Sequence, residues 1–256
     1  MAALSRKEKM IKKPVSDAPP AEAGGFLNDR DLPRRMQAHS SPGKSRGISW
    51  RGIKCLFVDI GGVLLTDGWN HAVSKLASKE FGLNLKEIEK RHDQVLGIYE
   101  VGKISLKEYL NRLVFYKERP FTQAQFLKFM LAQSKPCPQM IELVRLLKAR
   151  YGLKIAVVSN EGREINEYRI SKFNLDGFVD FFISSCFVRL RKPDANIFRF
   201  ALDIARVDAG QVIYIENTPM YVEVAEGLGI KSILHTDYRS TRAKLVSFGL
   251  DASIHP

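Results

Sequence analysis

The stretch Cys55-Leu56-Phe57-Val58-Asp59-Ile60-Gly61-Gly62-Val63-Leu64-Leu65 decides how this chain is read. An apolar run enters an aspartate and then two glycines. The pattern predicts a buried strand over about 53–59 that delivers a carboxylate to its carboxyl end, the edge where open α/β sheets hold ligands. Gly61 and Gly62 let backbone N–H groups come close to an anion. Together these features point to Asp59 as a nucleophile facing a phosphate-sized group.

Outward from this stretch, continuous apolar runs alternate with helical patterns. Strands are expected at 153–158, 181–184, 211–215 and 231–234. Helices are expected at about 162–173, after Pro193 and near 219–227. After Pro193, Ile197, Phe198, Ala201, Leu202 and Ala205 recur at helical spacing. This alternation predicts an α/β fold, a Rossmann-like parallel sheet with helices on both faces.

The stretch 68–135 breaks the alternation with helices alone. Ser105-Leu106-Lys107-Glu108 and Thr122-Gln123-Ala124-Gln125 read as capping boxes that open apolar stripes. It is expected to be an inserted helical cap, with the core formed by 52–67 and 136–256. Phe126, Phe129 and Met130 in the second stripe are read as packing residues, without a binding role. Residues 1–50, rich in Pro, Ala, Gly, Ser and charge, are read as a disordered basic tail.

Composition narrows the function classes. The chain has 256 residues and a formal charge of +12, of which residues 1–50 contribute 10 Lys/Arg against 5 Asp/Glu. The positive charge is spread out, and no basic helix carries interleaved aromatics. This favours anionic metabolites over nucleic acid as partners. No apolar run reaches membrane-spanning length. Cys55, Cys137 and Cys186 are odd in number and widely spaced, which argues against a disulfide framework or a zinc site. No apolar segment backs the N-terminal charges, so a cytoplasmic location is expected.

Four groups fall at predicted strand ends or helix starts: Asp59, Ser159-Asn160, Lys192-Pro193 and Glu216-Asn217. A parallel sheet brings such ends to one edge. Taken singly, each reads as a cap, a turn or a solvated terminus. Taken in order, they fit phosphoryl transfer through an aspartyl-phosphate. Asp59 attacks phosphorus; Ser159, Asn160 and the backbone at Gly61 and Gly62 hold the phosphoryl oxygens; Lys192 offsets the shared negative charge. Asp59, Ser159 and Lys192 are the expected catalytic residues. Mg²⁺ is the expected cofactor, with Asp59, the Gly61 carbonyl and Glu216 as oxygen ligands.

In these motifs the chain resembles the haloacid dehalogenase (HAD) superfamily, over about 52–236. The matching segments are Asp59-Ile60-Gly61-Gly62-Val63, Val157-Val158-Ser159-Asn160, Arg191-Lys192-Pro193-Asp194-Ala195-Asn196-Ile197-Phe198 and Ile213-Tyr214-Ile215-Glu216-Asn217. The helical insert, with its turn Gly102-Lys103-Ile104-Ser105, is similar to the small cap of a branch that includes sugar-phosphate phosphatases and the phosphatase half of soluble epoxide hydrolases. The resemblance implies a Mg²⁺-dependent phosphatase acting on a small phosphorylated metabolite.

The chain departs from the family pattern twice. Phosphatases of the superfamily usually carry a second aspartate two residues after the nucleophile, as general acid and base; here the residue is Gly61. Some phosphatase-like members of the branch also show Asp-x-Gly. Where the family often has two aspartates in its fourth motif, this chain has Glu216-Asn217. These departures leave two alternatives open, a non-catalytic phosphate-binding or regulatory protein and a metal-independent 2-haloacid dehalogenase. Asp67, Arg91, His92 and Tyr99 are read first as turn, surface or packing residues, and Asp194 as a helix start.

Overall fold

The computed structural model describes residues 52–252; the expected tail, residues 1–50, lies outside the described residues. Five strands, β1 (Cys55–Val58), β2 (Lys154–Ser159), β3 (Phe181–Ser184), β4 (Val212–Glu216) and β5 (Lys231–Leu234), form one sheet in the order β3-β2-β1-β4-β5. Every pairing is parallel. Each strand is a near-continuous apolar run because helices cover both faces, so both sets of alternating side chains are buried. The fold is the expected Rossmann-like α/β architecture.

Among the described residues the α-helices are α1 (His71–Phe81), α2 (Leu85–Glu100), α3 (Leu106–Leu113), α4 (Gln123–Ala132), α5 (Pro138–Tyr151), α6 (Arg163–Lys172), α7 (Ser185–Val188), α8 (Ala195–Ala205), α9 (Pro219–Gly227) and α10 (Tyr238–Ser247). Leu56, Val58, Ile155, Val157, Ile213 and Ile215 pack with Met140, Leu143, Val144 and Leu147 of α5 and Leu245 of α10. On the other face Phe57, Ala156, Val158 and Tyr214 meet Ile197, Phe198 and Ala201 of α8 and Ala225 of α9. The sequence reading did not anticipate α7 or α10. In α10 only Thr241 and Leu245 are buried, too few to leave a periodic stripe, and Asp237 caps it by accepting from the Ser240 N–H at 2.9 Å.

Helices α1–α4 share a third apolar cluster built on Ala77, Ile88, Tyr109, Leu110, Leu113 and Phe126. Both capping boxes form. The Ser105 N–H donates to Glu108 Oε2 at 2.8 Å, and the Thr122 N–H to Gln125 Oε1 at 2.7 Å, each answered by the reciprocal bond. The chain enters and leaves this helical segment side by side. The Thr66 N–H donates to the Lys135 carbonyl at 2.9 Å, and the Cys137 N–H to the Leu64 carbonyl at 2.8 Å.

Register places the sheet's chemistry at one edge. Val58 pairs with Val157 on one side and Ile215 on the other, and Asp59 follows it immediately. Ser159 and Glu216 end the two neighbouring strands within a residue or two of Asp59.

A candidate active site at the carboxyl edge of the sheet

Asp59 leaves β1 with its N–H on the Ile215 carbonyl at 3.0 Å, and its Oδ1 accepts from the Ile60 N–H at 2.9 Å. Lys192, fully buried just before α8, brings its Nζ to 3.2 Å from Asp59 Oδ1. The same ammonium donates to Glu216 Oε2 at 2.5 Å and to the Tyr214 hydroxyl at 3.1 Å. Ser159, 1% exposed, also hydrogen-bonds Asp59. Burial, reinforced by the Glu216 charge, pushes the Asp59 carboxyl up to about 7, although Lys192 and the Ser159 hydrogen bond pull the other way. Burial works against the Lys192 ammonium, but Asp59 and Glu216 more than offset it and hold the lysine above its usual range. A single cation is therefore shared by two buried carboxylates.

Asn160 clamps this lysine. Its Oδ1 accepts from the Lys192 N–H at 2.8 Å, and its Nδ2 donates to the Lys192 carbonyl at 2.9 Å. The side chain expected on phosphate is here engaged in positioning Lys192. Gly61 lines the pocket beside Asp59. Gly62 adopts φ +71°, and a Cβ there would fall 2.0 Å from Asn217 Nδ2, so only glycine suits that turn.

Glu216 stands apart from its expected metal role. Its Oε1 accepts from the N–H groups of Asn217 and Thr218, both at 2.9 Å. Its Oε2 accepts from Lys192 and from the Tyr214 hydroxyl. A carboxylate offers about four acceptor sites, and all are occupied. Among the described residues no group of three His, Cys, Asp or Glu side chains is placed to hold a metal ion. As arranged, the residues do not fit the expected Mg²⁺ site: Asp59 and the Gly61 carbonyl lack the third protein ligand that Glu216 was to supply.

A pocket of about 250 Å³ opens above Asp59, Ser159 and Lys192. Four buried or half-buried ion pairs, two of them sharing Lys192, lie at or beside it. Arg169 Nη1 meets Glu161 Oε1 at 2.5 Å, Arg191 Nη2 meets Glu100 Oε2 at 2.7 Å, and Lys192 joins Asp59 and Glu216. Burial raises the carboxyls of Glu161 and Glu100, each opposed by its arginine. The α1–α4 side of the pocket presents Trp69, Val73, Leu96, Tyr99 and Met130. Met130 and Tyr99, first read as packing residues, therefore face the pocket; Phe126 stays in the third cluster, 0% exposed. Asp67 also lines the pocket. His92 instead bonds the Tyr109 hydroxyl at 2.6 Å, Arg91 lies over the Tyr116 ring, and Asp194 caps α8 by accepting from the Asn196 N–H at 2.9 Å.

The sequence reading missed Arg169, Glu161, Glu100, Arg191 and Tyr214 as site residues. Arg169 is one charge in the polar helix α6, and nothing in its spacing marks it as 1% exposed. Tyr214 reads as an ordinary strand residue. Glu161 was within reach of inference, because it directly follows Ser159-Asn160.

A family model described as a haloacid dehalogenase-like hydrolase matches residues 53–229. Among curated proteins, the pig protein named Bifunctional epoxide hydrolase 2 is 22% identical over 207 residues, 72% of this chain; the chain spans 37% of that protein's length. The protein named Phosphoglycolate phosphatase from Aquifex aeolicus is 23% identical over 184 residues, 71% of this chain and 84% of that protein. Among solved structures, a HAD-family enzyme from Bacteroides thetaiotaomicron, crystallised as a magnesium complex, superposes with a TM-score of 0.62 at 21% identity. It covers 72% of this chain and 93% of its own. At that identity the likeness is one of fold.

Proposed function

The chain belongs to the haloacid dehalogenase-like hydrolase family, and from that premise we propose that it hydrolyses a small phosphoric monoester through an aspartyl-phosphate on Asp59. The observation that carries the reading is Lys192 Nζ at 3.2 Å from Asp59 Oδ1 on the floor of a pocket. A carboxylate attacking a phosphate must overcome repulsion between two anions, and a buried ammonium beside both relieves it. Ser159 Oγ–H and the backbone at Gly61–Gly62 donate to the phosphoryl oxygens. Asn160 holds Lys192 at its backbone, and Glu216 with Tyr214 holds its head group. Helices α1–α4 serve as the cap whose pocket-facing residues select the organic part of the substrate. A relative named as a phosphatase supports a small phosphorylated substrate. The magnesium complex of a structural relative raises a role for Mg²⁺, but Glu216 in this chain is fully engaged, so Lys192 provides the charge compensation at Asp59.

The test is phosphate release from a panel of sugar, nucleotide and aryl phosphates by the full chain, compared with Asp59→Asn. The expected outcome is release by the wild type and none by the variant. Equal release by both, or release by neither, would overturn the proposal. Thermal stabilisation by inorganic phosphate without turnover would instead identify a phosphate-binding protein, and halide release from 2-haloacids a dehalogenase.

A further inference from the structure

Gly61 has no side chain for proton transfer, yet the space beside it holds a carboxylate. A Cβ built on Gly61 would lie 3.6 Å from Asp67 Oδ1, and one on Gly62 would lie 2.8 Å from the same oxygen. Asp67 thus projects its carboxylate from the β1–α1 loop into the region that a side chain at position 61 would reach. It lines the same pocket as Asp59.

The other carboxylates around that pocket are committed. Asp59 and Glu216 share Lys192, Glu161 holds Arg169 and Glu100 holds Arg191. Asp67 receives only neutral amide donors, Asn217 Nδ2 on Oδ1 at 3.2 Å and Asn70 Nδ2 on Oδ2 at 3.5 Å. Among the described residues no cation pairs with it. It does not cap α1 either, since Asn70 does so through the Val73 N–H. The turn role first expected for Asp67 leaves this placement unexplained.

We propose that Asp67 is the proton-transfer residue of the site, acting in place of the side chain that Gly61 lacks. The assignment rests on the phosphoester hydrolysis proposed above. In the first step Asp59 attacks phosphorus, the P–O bond to the alcohol breaks, and the Asp67 carboxyl gives its proton to the departing oxygen. In the second step water attacks the aspartyl-phosphate and Asp67 takes its proton. The P–O bond to Asp59 then breaks, leaving inorganic phosphate, a free Asp59 carboxylate and a protonated Asp67.

The experiment compares wild type, Asp67→Asn and the double variant Asp67→Asn/Gly61→Asp on p-nitrophenyl phosphate and glycerol phosphate. Phosphoenzyme is followed by rapid quench. Loss of a general acid–base group costs roughly 10²–10⁴-fold, and that is the fall expected for Asp67→Asn on glycerol phosphate, whose leaving alkoxide needs a proton. The nitrophenolate does not, so the variant should release it in a stoichiometric burst, then stall with phosphoenzyme accumulated. A Cβ at position 61 meets only ordinary contacts, and Gly61→Asp should restore turnover in the double variant. Undiminished turnover in Asp67→Asn, or an equal loss on both esters with no burst, would overturn the assignment. If the wild type cleaves neither ester, the hydrolase reading falls with it; if it cleaves both and Asp67→Asn matches it, only Asp67 is refuted.

Discussion

Asp59 is held in a state that works against the protein's own stability. Its carboxyl is pushed up to about 7, chiefly by burial and then by Glu216. A raised carboxyl pKa means that the native state binds the proton more tightly than the unfolded chain. Stability from this group is therefore full below the unfolded value near 4, and falls as pH rises towards 7. Asp59→Asn removes the ionisation, so the variant should melt several degrees above wild type at pH 7.5, with the gap closing towards pH 4. A gap that widened on acidification would refute the stated balance of burial over Lys192. Phosphate release should follow the opposite course, rising through about pH 7 as the coupled Asp59–Lys192–Glu216 group loses its proton. Gly62 carries a different constraint. Its φ of +71° costs a non-glycine residue about 1–2 kcal/mol, and a Cβ would also strike Asn217. Gly62→Ala should lower stability in a denaturant melt, and adding Asn217→Ala should relieve the Asn217 clash while leaving the backbone cost and the 2.8 Å approach to Asp67 Oδ1. Full recovery in the double variant would sink the backbone argument. At this scale the sequence marks residues that sit next to glycine or at strand ends. It does not mark Arg169 or Tyr214, because a charge in a polar helix and a tyrosine in an apolar strand look ordinary until tertiary packing buries them. Asp67 lies between these cases: it was visible as a loop aspartate, but its relation to Gly61 exists only in space.

Elements meet at glycine as well. Gly162 immediately precedes α6 at its N-cap, and the Tyr99 ring from the end of α2 lies against it. A Cβ on Gly162 would stand 2.0 Å from Tyr99 Cζ and 2.1 Å from Cε1. Tyr99 in turn stacks on Tyr109 of α3, with ring centroids 4.6 Å apart. Overpacking of this kind typically costs about 1–3 kcal/mol, so Gly162→Ala should lower the unfolding midpoint and, by displacing a pocket wall, raise KM. An unchanged midpoint would show that α2 and α6 yield easily to one another. The strands and the helices with strong caps or wide apolar faces were legible in the sequence. Buried parallel strands must be apolar throughout, and capping boxes announce α3 and α4. Helices α7 and α10 were not, since α7 is one turn and α10 buries two residues.

Across the described residues, the α1–α4 segment is tied to the rest of the fold by polar bonds, some of them from residues that line the pocket. Arg191 reaches Glu100, the Arg189 guanidinium donates to the Val101 carbonyl at 2.8 Å, the Leu106 N–H donates to Glu164 at 2.8 Å, and Arg169 reaches Ser134 and the Thr66 carbonyl. Charge at the pocket is thus arranged as protein–protein pairs, with arginine or lysine against each of Glu100, Glu161, Asp59 and Glu216. Among the described carboxylates lining the pocket only Asp67 lacks such a partner, and one carboxylate holding neutral amide donors is by itself a poor cation site. A ligand present at 100 times its Kd stabilises by about 2.7 kcal/mol. For a chain of roughly this size, each kcal/mol moves the melting temperature by about 2–4 °C. Saturating Mg²⁺ would therefore raise Tm by on the order of five to ten degrees if the resting protein formed a cation site. With both Glu216 oxygens already engaged, millimolar Mg²⁺ and a chelator should leave Tm of the ligand-free protein the same within about a degree. A rise of several degrees with Mg²⁺ alone, abolished in Glu216→Gln, would show that Glu216 releases Lys192 to take up the ion, and would return the metal to the site.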